Sequence, residues 1–137
     1  MTCFLWQVGI FDRDPVSTWT SGVVTLLGDA ASPIPPNLGQ GGNKAIEDAG
    51  VLAASLSRCN GDVAAALKLY EKLRVKRAKD ILQYSRQAVR VQNLDSSTSI
   101  WLRDNMMRLM VGLNKTIPSD WLWSYDCERE VQQAVLS

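Results

Sequence analysis

Between Gly28 and Gly42 the chain (GDAASPIPPNLGQGG) concentrates four of its nine glycines and three of its five prolines. Proline lacks the backbone donor and glycine loses the most freedom on ordering, so no regular helix or central strand runs through such a segment. This irregular stretch divides the sequence into two unlike parts. Upstream, Leu5–Phe11 (LWQVGIF) and Gly22–Leu27 (GVVTLL) are short, apolar and bounded by Asp, Pro, Ser or Gly. That pattern predicts two strands. Asp12-Arg13-Asp14-Pro15 and Ser17–Ser21, with Trp19, form the loop between them. Two strands do not make a sheet of useful size, which marks the first forty or so residues as the edge of something larger.

Downstream everything reads as helix. The first helix runs from about Asn43 to Arg58, with Ile46, Ala49, Ala53 and Leu56 as its apolar side. Asn60-Gly61 ends it and Asp62 caps the next. From Val63 to Leu94 there is neither Gly nor Pro. The stripe Val63, Ala66, Leu67, Tyr70, Leu73, Ala78, Ile81, Leu82, Ala88, Val89 predicts one long helix. Its Lys68, Lys72, Lys76, Lys79, Arg86 and Arg90 fall in a sector of roughly 80° and read as a solvated face. Arg74 and Arg77 fall inside the apolar sector. A buried arginine needs a partner, and Glu47 or Asp48 on the preceding helix is the natural one. A third helix spans Ile100 to Leu113. Its Trp101, Met106, Met107, Leu109 and Met110, with Trp121 and Trp123 in the turn Pro118–Tyr125, are expected to pack in the core. Tyr125, Asp126, Glu128 and Glu130 read as a solvated C-terminal turn. The predicted fold is mainly α with an α+β remnant: two short N-terminal strands, then three or four helices. Residues 1–137 form one truncated domain, with a strand and loop remnant at 1–42 and a helical region at 43–137.

The 137 residues carry 46% hydrophobic and 21% charged side chains, enough apolar content for a core. The net charge of +1 argues against a dedicated nucleic-acid binder. There is no histidine, which excludes Ser-His-Asp and Cys-His nucleophiles and nearly all zinc sites; no metal is expected. Cys3, Cys59 and Cys127 form no CxxC pair and read as free thiols of a reducing compartment. No apolar run is long enough to span a bilayer, and Met1–Phe11 lacks a basic flank and a cleavage site. A soluble cytoplasmic protein is the expectation.

The chemistry is concentrated in Val24–Asp48 (VTLLGDAASPIPPNLGQGGNKAIED). A strand delivers Asp29 at its end, and a glycine-rich loop feeds into a helix N-terminus. Without Cβ atoms at Gly39, Gly41 and Gly42, backbone N–H groups can approach a ligand closely. The helix adds a partial positive charge there. Asp29 is placed to accept hydrogen bonds from sugar-like hydroxyls.

This segment resembles the second FAD-binding motif of FAD-dependent monooxygenases of the aromatic-hydroxylase type, the group of salicylate, urate and zeaxanthin-epoxidising enzymes. The similarity extends upstream through Phe11–Pro15 and Trp19, and downstream through Tyr70-Glu71 and Arg74–Arg77. The resemblance implies FAD as cofactor. It implies that Gly28 and Asp29 hold the ribityl chain, and that Pro36, Gly39, Gln40, Gly41, Gly42 and Asn43 lie along the flavin ring. It implies a small aromatic or polycyclic substrate and assigns no catalytic residue in this chain. Ser32 stands where the family commonly has His. The family's GxGxxG strand–helix unit, the acid for the adenosine ribose and the Asp-Gly motif are not in the sequence. The chain thus resembles the C-terminal piece of a longer enzyme, with FAD binding weakened or lost in isolation and monooxygenation dependent on the missing half.

Two other functions stay open at this level. One is a cofactor-independent cyclase or isomerase of a secondary-metabolite pathway, built on the emptied flavin cleft. The other is a non-enzymatic helical interaction module. The module reading goes with an exposed apolar face, and the expected assembly is a homo-oligomer such as a dimer, or a complement to the N-terminal domain.

Overall fold

The computed structural model describes residues 9–113 and 119–136. Within them the order is β1 (Thr20–Ser21), β2 (Val24–Thr25), two 3-10 turns (Gly28–Ala30 and Pro36–Leu38), then α1 (Gln40–Arg58), α2 (Val63–Gln92), α3 (Ser97–Gly112), α4 (Asp120–Trp123) and α5 (Cys127–Leu136). The fold is mainly helical with one small sheet, as expected. The strands form an antiparallel hairpin with Thr20 opposite Thr25 and Ser21 opposite Val24. Only the second lies in an expected strand. The first falls in the predicted loop, because Gly22, at φ +60°, reverses the chain beside Trp19. Of the predicted strand Leu5–Phe11, residues 9–11 are irregular and the rest, like Cys3 and Pro118, lies outside the described residues.

The helix between α1 and α3 forms as its sequence requires. Asn60 and Gly61 take positive φ values of 48° and 91°, which terminate α1. The Asp62 carboxylate accepts from the Ala65 N–H at 3.0 Å and caps α2. Ala66, Leu67, Tyr70, Ala78, Ile81 and Leu82 are buried along one face. Lys68, Lys72, Lys76, Lys79 and Arg90 are exposed on the other. Arg86 leaves that face to pair with Asp12 and Asp14.

The orientation of α1 overturns the apolar-side expectation. Its buried residues are Gln40, Lys44, Asp48, Val51 and Ser55. Ile46, Ala49, Ala53 and Leu56 face out, Ile46 being 73% exposed. The helix turns its polar stripe inward because the inward carboxylates meet Arg74 and Arg77 of α2. With the arginines fixed in the inner face of α2, turning the acids outward would leave two buried or nearly buried cations unpaired, at a cost of about 3–5 kcal/mol for a fully buried one.

Two further expectations are corrected. No residue of α3 is buried, and Trp101 is 67% exposed. Its apolar residues are therefore not core: α3 touches the end of α2 through Arg103, which donates to the Val91 and Gln92 carbonyls, and none of its residues is buried by another of the described elements. The segment after Tyr125 is not a turn but the helix α5, although its Asp126, Glu128 and Glu130 are exposed as expected. Its Val131 is fully buried in the cluster of Trp19, Val51 and Tyr70. Cys127, at its start, lies 2.9 Å from where a side chain on Gly50 would begin, which requires glycine in α1 at that crossing. Burial pushes the Cys127 thiol above its ordinary range. Less thiolate is then present at any given pH, so iodoacetamide at pH 8 should label Cys127 more slowly in the folded chain than in urea. Equal rates would show the thiol to be freely solvated.

Candidate functional site

The irregular segment is held in place by α1 below it and α2 beside it. Tyr70 donates its hydroxyl to the Leu26 carbonyl at 3.0 Å. The Glu71 carboxylate accepts from the N–H groups of Trp19 and Thr20 at 3.0 and 2.7 Å. The Leu26 N–H donates to the Trp19 carbonyl at 3.0 Å, closing the hairpin. At the far end, Asn37 and Ser85 exchange hydrogen bonds, with the Ser85 hydroxyl 2.7 Å from Asn37 Oδ1. Ile34 packs with Ile81, Leu82 and Leu122. Successive turns of α2 thus anchor both ends of the segment.

A charged cluster joins the middle. Asp48, fully buried, accepts from Arg74 Nε at 2.6 Å, Lys44 Nζ at 3.1 Å and the Gly28 N–H at 3.0 Å. Glu47 accepts from Arg74 at 2.9 Å and from Arg77 Nη2 at 2.8 Å. The expected pairing of Arg74 and Arg77 with Glu47 and Asp48 is present in full. Burial alone would lower the Arg74 pKa, but the Asp48 charge and its hydrogen bonds raise it, so the guanidinium stays charged. The Tyr70 hydroxyl is pushed up, first by burial and then by Asp48, and stays protonated. Arg74 and Arg77 also lie over the Tyr125 ring, 4.9 and 4.5 Å from its centroid.

Of the residues singled out in the sequence, Gly28 and Gln40 point inward, and Asp29, Pro36, Gly39, Gly42 and Asn43 are exposed, with Gly41 between. Gly28 takes φ +61° and packs against Ala45 of α1, where a Cβ would sit 3.4 Å away. Asp29 therefore emerges beside the first turns of α1. Gly39, at φ +64°, starts that helix without a capping side chain. An α-helix leaves its opening N–H groups without internal acceptors, and none of Gln40, Gly41 or Gly42 finds one among the described residues. A Cβ on Gly41 or Gly42 would meet nothing within 4 Å. The opening donors thus lie at an open surface, and Asp29 is an exposed carboxylate next to the Gly28 that contacts Lys44, Ala45 and Asp48 of the same helix. A hollow of about 650 Å³ lies elsewhere, around Arg77, Trp121 and Tyr125. Ser32 is fully buried, and its hydroxyl has no partner among the described residues.

Sequence reasoning missed Lys44 and the bond from Asp48 to Gly28. The available signal was the i, i+4 spacing of a lysine and an aspartate on the helix that opposes two arginines.

Comparison with known proteins places this arrangement. Residues 11–85 match the family described as FAD binding domain. The chain is 41% identical over 106 residues to aurachin C monooxygenase/isomerase of Stigmatella aurantiaca, covering 77% of this chain and 27% of that protein. It is 40% identical over 119 residues to a 3-amino-4-hydroxybenzoate 2-monooxygenase of Streptomyces platensis, covering 87% and 29%. Among solved structures, a salicylate hydroxylase substrate complex superposes with a TM-score of 0.64 at 28% identity, over 88% of this chain and 29% of that one. An HpxO variant of Klebsiella pneumoniae complexed with FAD gives 0.59 at 31% identity, over 92% and 29%. The chain therefore spans less than a third of the length of these relatives. Because the matched stretch takes in the hairpin, the glycine loop and the paired faces of both long helices, the chain belongs to the FAD-binding domain family.

Proposed function

We propose that the chain forms the flavin-facing side of an FAD site in an aromatic-hydroxylase-type monooxygenase. The observation that carries this reading is the uncapped start of α1, with its free N–H groups and open glycines, on the helix that also holds the Gly28 preceding the exposed Asp29. These residues fit the group. Gln40, Gly41, Gly42 and Asn43 would line the ring, with Gly39 and Pro36 shaping the approach, and Gly28 and Asp29 would hold the ribityl hydroxyls. The helix N-terminus favours negative charge at the ring edge it meets. FAD, when bound, supplies the redox chemistry, on a small aromatic or polycyclic substrate. The adenine and pyrophosphate contacts belong to polypeptide outside the matched third, so this chain alone binds flavin weakly. Each 1.4 kcal/mol of lost contact is about a tenfold loss of affinity.

The outward apolar stripe of α1, with Val23 and Val24 exposed at the hairpin, supports a second element of the proposal. That surface is where the remainder of the fold, or another polypeptide supplying it, would be seated. The same stripe also serves a reading in which the chain acts by association.

A titration tests the site. If only ring and ribityl groups are held, FAD, FMN and riboflavin should quench within roughly threefold of one another in affinity. Gly41→Val and Gly42→Val put side chains into open space and should change unfolding stability by no more than about 0.5 kcal/mol. Each should nevertheless weaken flavin binding at least about tenfold, by screening the N–H groups. Unchanged affinity in both variants would remove the loop from the site.

A further inference from the structure

We infer that Lys44 and Asp48 are positioning residues that set the pose of Asp29, an inference that rests on the flavin reading of the loop. Both backbone polar groups of Gly28, which lie on the two peptide units flanking its Cα, are bonded by this one ion pair. The Gly28 N–H donates to Asp48 Oδ2 at 3.0 Å, and Lys44 Nζ donates to the Gly28 carbonyl at 3.2 Å and to the same Asp48 oxygen at 3.1 Å. The carbonyl also accepts from the Ala31 and Ser32 N–H groups at 3.1 and 3.0 Å. Lys44 and Asp48 are 1% and 0% exposed. Gly28, at φ +61°, is the residue whose turn decides where Asp29 points.

The placement of the pair is poor for helix stability. A lysine in the second turn sits at the positive end of the helix dipole, and taking both charges out of water is costly. What the pair supplies is registration. Lys44 and Asp48 belong to the helix whose first turn carries the donors of Gln40, Gly41 and Gly42. One rigid element therefore fixes the acceptor, through Gly28, relative to the donors. Arg74 holds the second Asp48 oxygen at 2.6 Å and keeps that carboxylate from rotating.

The test combines amide hydrogen exchange with flavin titration on the whole chain. Lys44→Met and Asp48→Asn should accelerate exchange at Gly28, Ala31 and Ser32 at least about tenfold, while the Ile81 amide in α2 keeps its rate. Flavin affinity should fall in parallel, and Lys44→Arg, which keeps the charge and the donor, should retain most of it. Should Asp48→Asn unfold by stranding Arg74, Lys44→Met alone decides the matter. Acceleration at Ile81 equal to that at Gly28 would mean the pair merely stabilises the fold. Local release at Gly28 with unchanged flavin affinity would equally overturn the positioning role. A parent chain that binds no flavin would sink the reading of the loop, whereas the selective exchange result judges the hold on Gly28 separately.

Discussion

Arg74→Ala lowers the unfolding free energy by about 3–5 kcal/mol, the cost of removing one partner from a buried ionic cluster. Three cations (Lys44, Arg74 and Arg77) face two carboxylates (Glu47 and Asp48), and Arg74 alone bonds both acids. Without it Asp48 keeps only Lys44 and the Gly28 N–H, and the Tyr125 ring loses one of the two guanidinium groups packed on it. For a chain of this size the thermal midpoint should fall by roughly 10–20 °C. Arg74→Lys keeps the charge but not the two-sided reach, and should lie between. Arg86→Ala is the control: its bonds to Asp12 and Asp14 are near the surface and should be worth less than about 1 kcal/mol. Differential scanning calorimetry separates these outcomes, and an Arg74→Ala midpoint equal to that of the parent would refute the account of the cluster.

Trp19→Ala should cost about as much, 3–5 kcal/mol in the usual range for a buried aromatic, by urea denaturation. Trp19 is 3% exposed, its indole N–H donates to the Val16 carbonyl at 3.0 Å, and its ring lies 6.0 Å from that of Tyr70 and under Lys44 Nζ at 5.5 Å. Removing it leaves a cavity between the hairpin and both long helices, at the base of the turn that carries Gly28. Trp101→Ala, on the uncovered α3, should change stability by no more than about 0.5 kcal/mol. A small effect at Trp19 would mean the hairpin is not part of the core.

The long helix was legible because its signals agree: no Gly or Pro, one apolar stripe, a capping aspartate, and two arginines in the wrong sector that announced acids opposite. The glycine loop was legible for a related reason, since its residues have no use in a regular element. The orientation of α1 was not. Its apolar residues alternate with a polar stripe that only tertiary pairing can send inward, and hydrophobic periodicity scores the two faces the other way round. The same limit explains α3, whose aromatic and methionine content reads as core although none of its residues is buried among the described residues. The strand Thr20–Ser21 was not legible because Ser17–Ser21 is polar around a lone Trp19 and shows no apolar alternation; the hairpin forms around Gly22 and the Glu71 carboxylate that accepts from its N–H groups. Which residues of the loop face outward was likewise beyond sequence: Gly28 is buried while Asp29 is exposed.

The 30 residues of α2 make a rod of about 45 Å, and three fastenings are spaced along it: the hairpin at Tyr70 and Glu71, the acids at Arg74 and Arg77, the proline loop at Ser85. Adding or deleting one residue between Arg77 and Ser85 would swing the last fastening by about 100° about the axis. The stretch from Tyr70 to Ser85 is thus a fixed gauge whose length is set by three separate attachments, whereas a residue gained or lost outside it leaves all three in register.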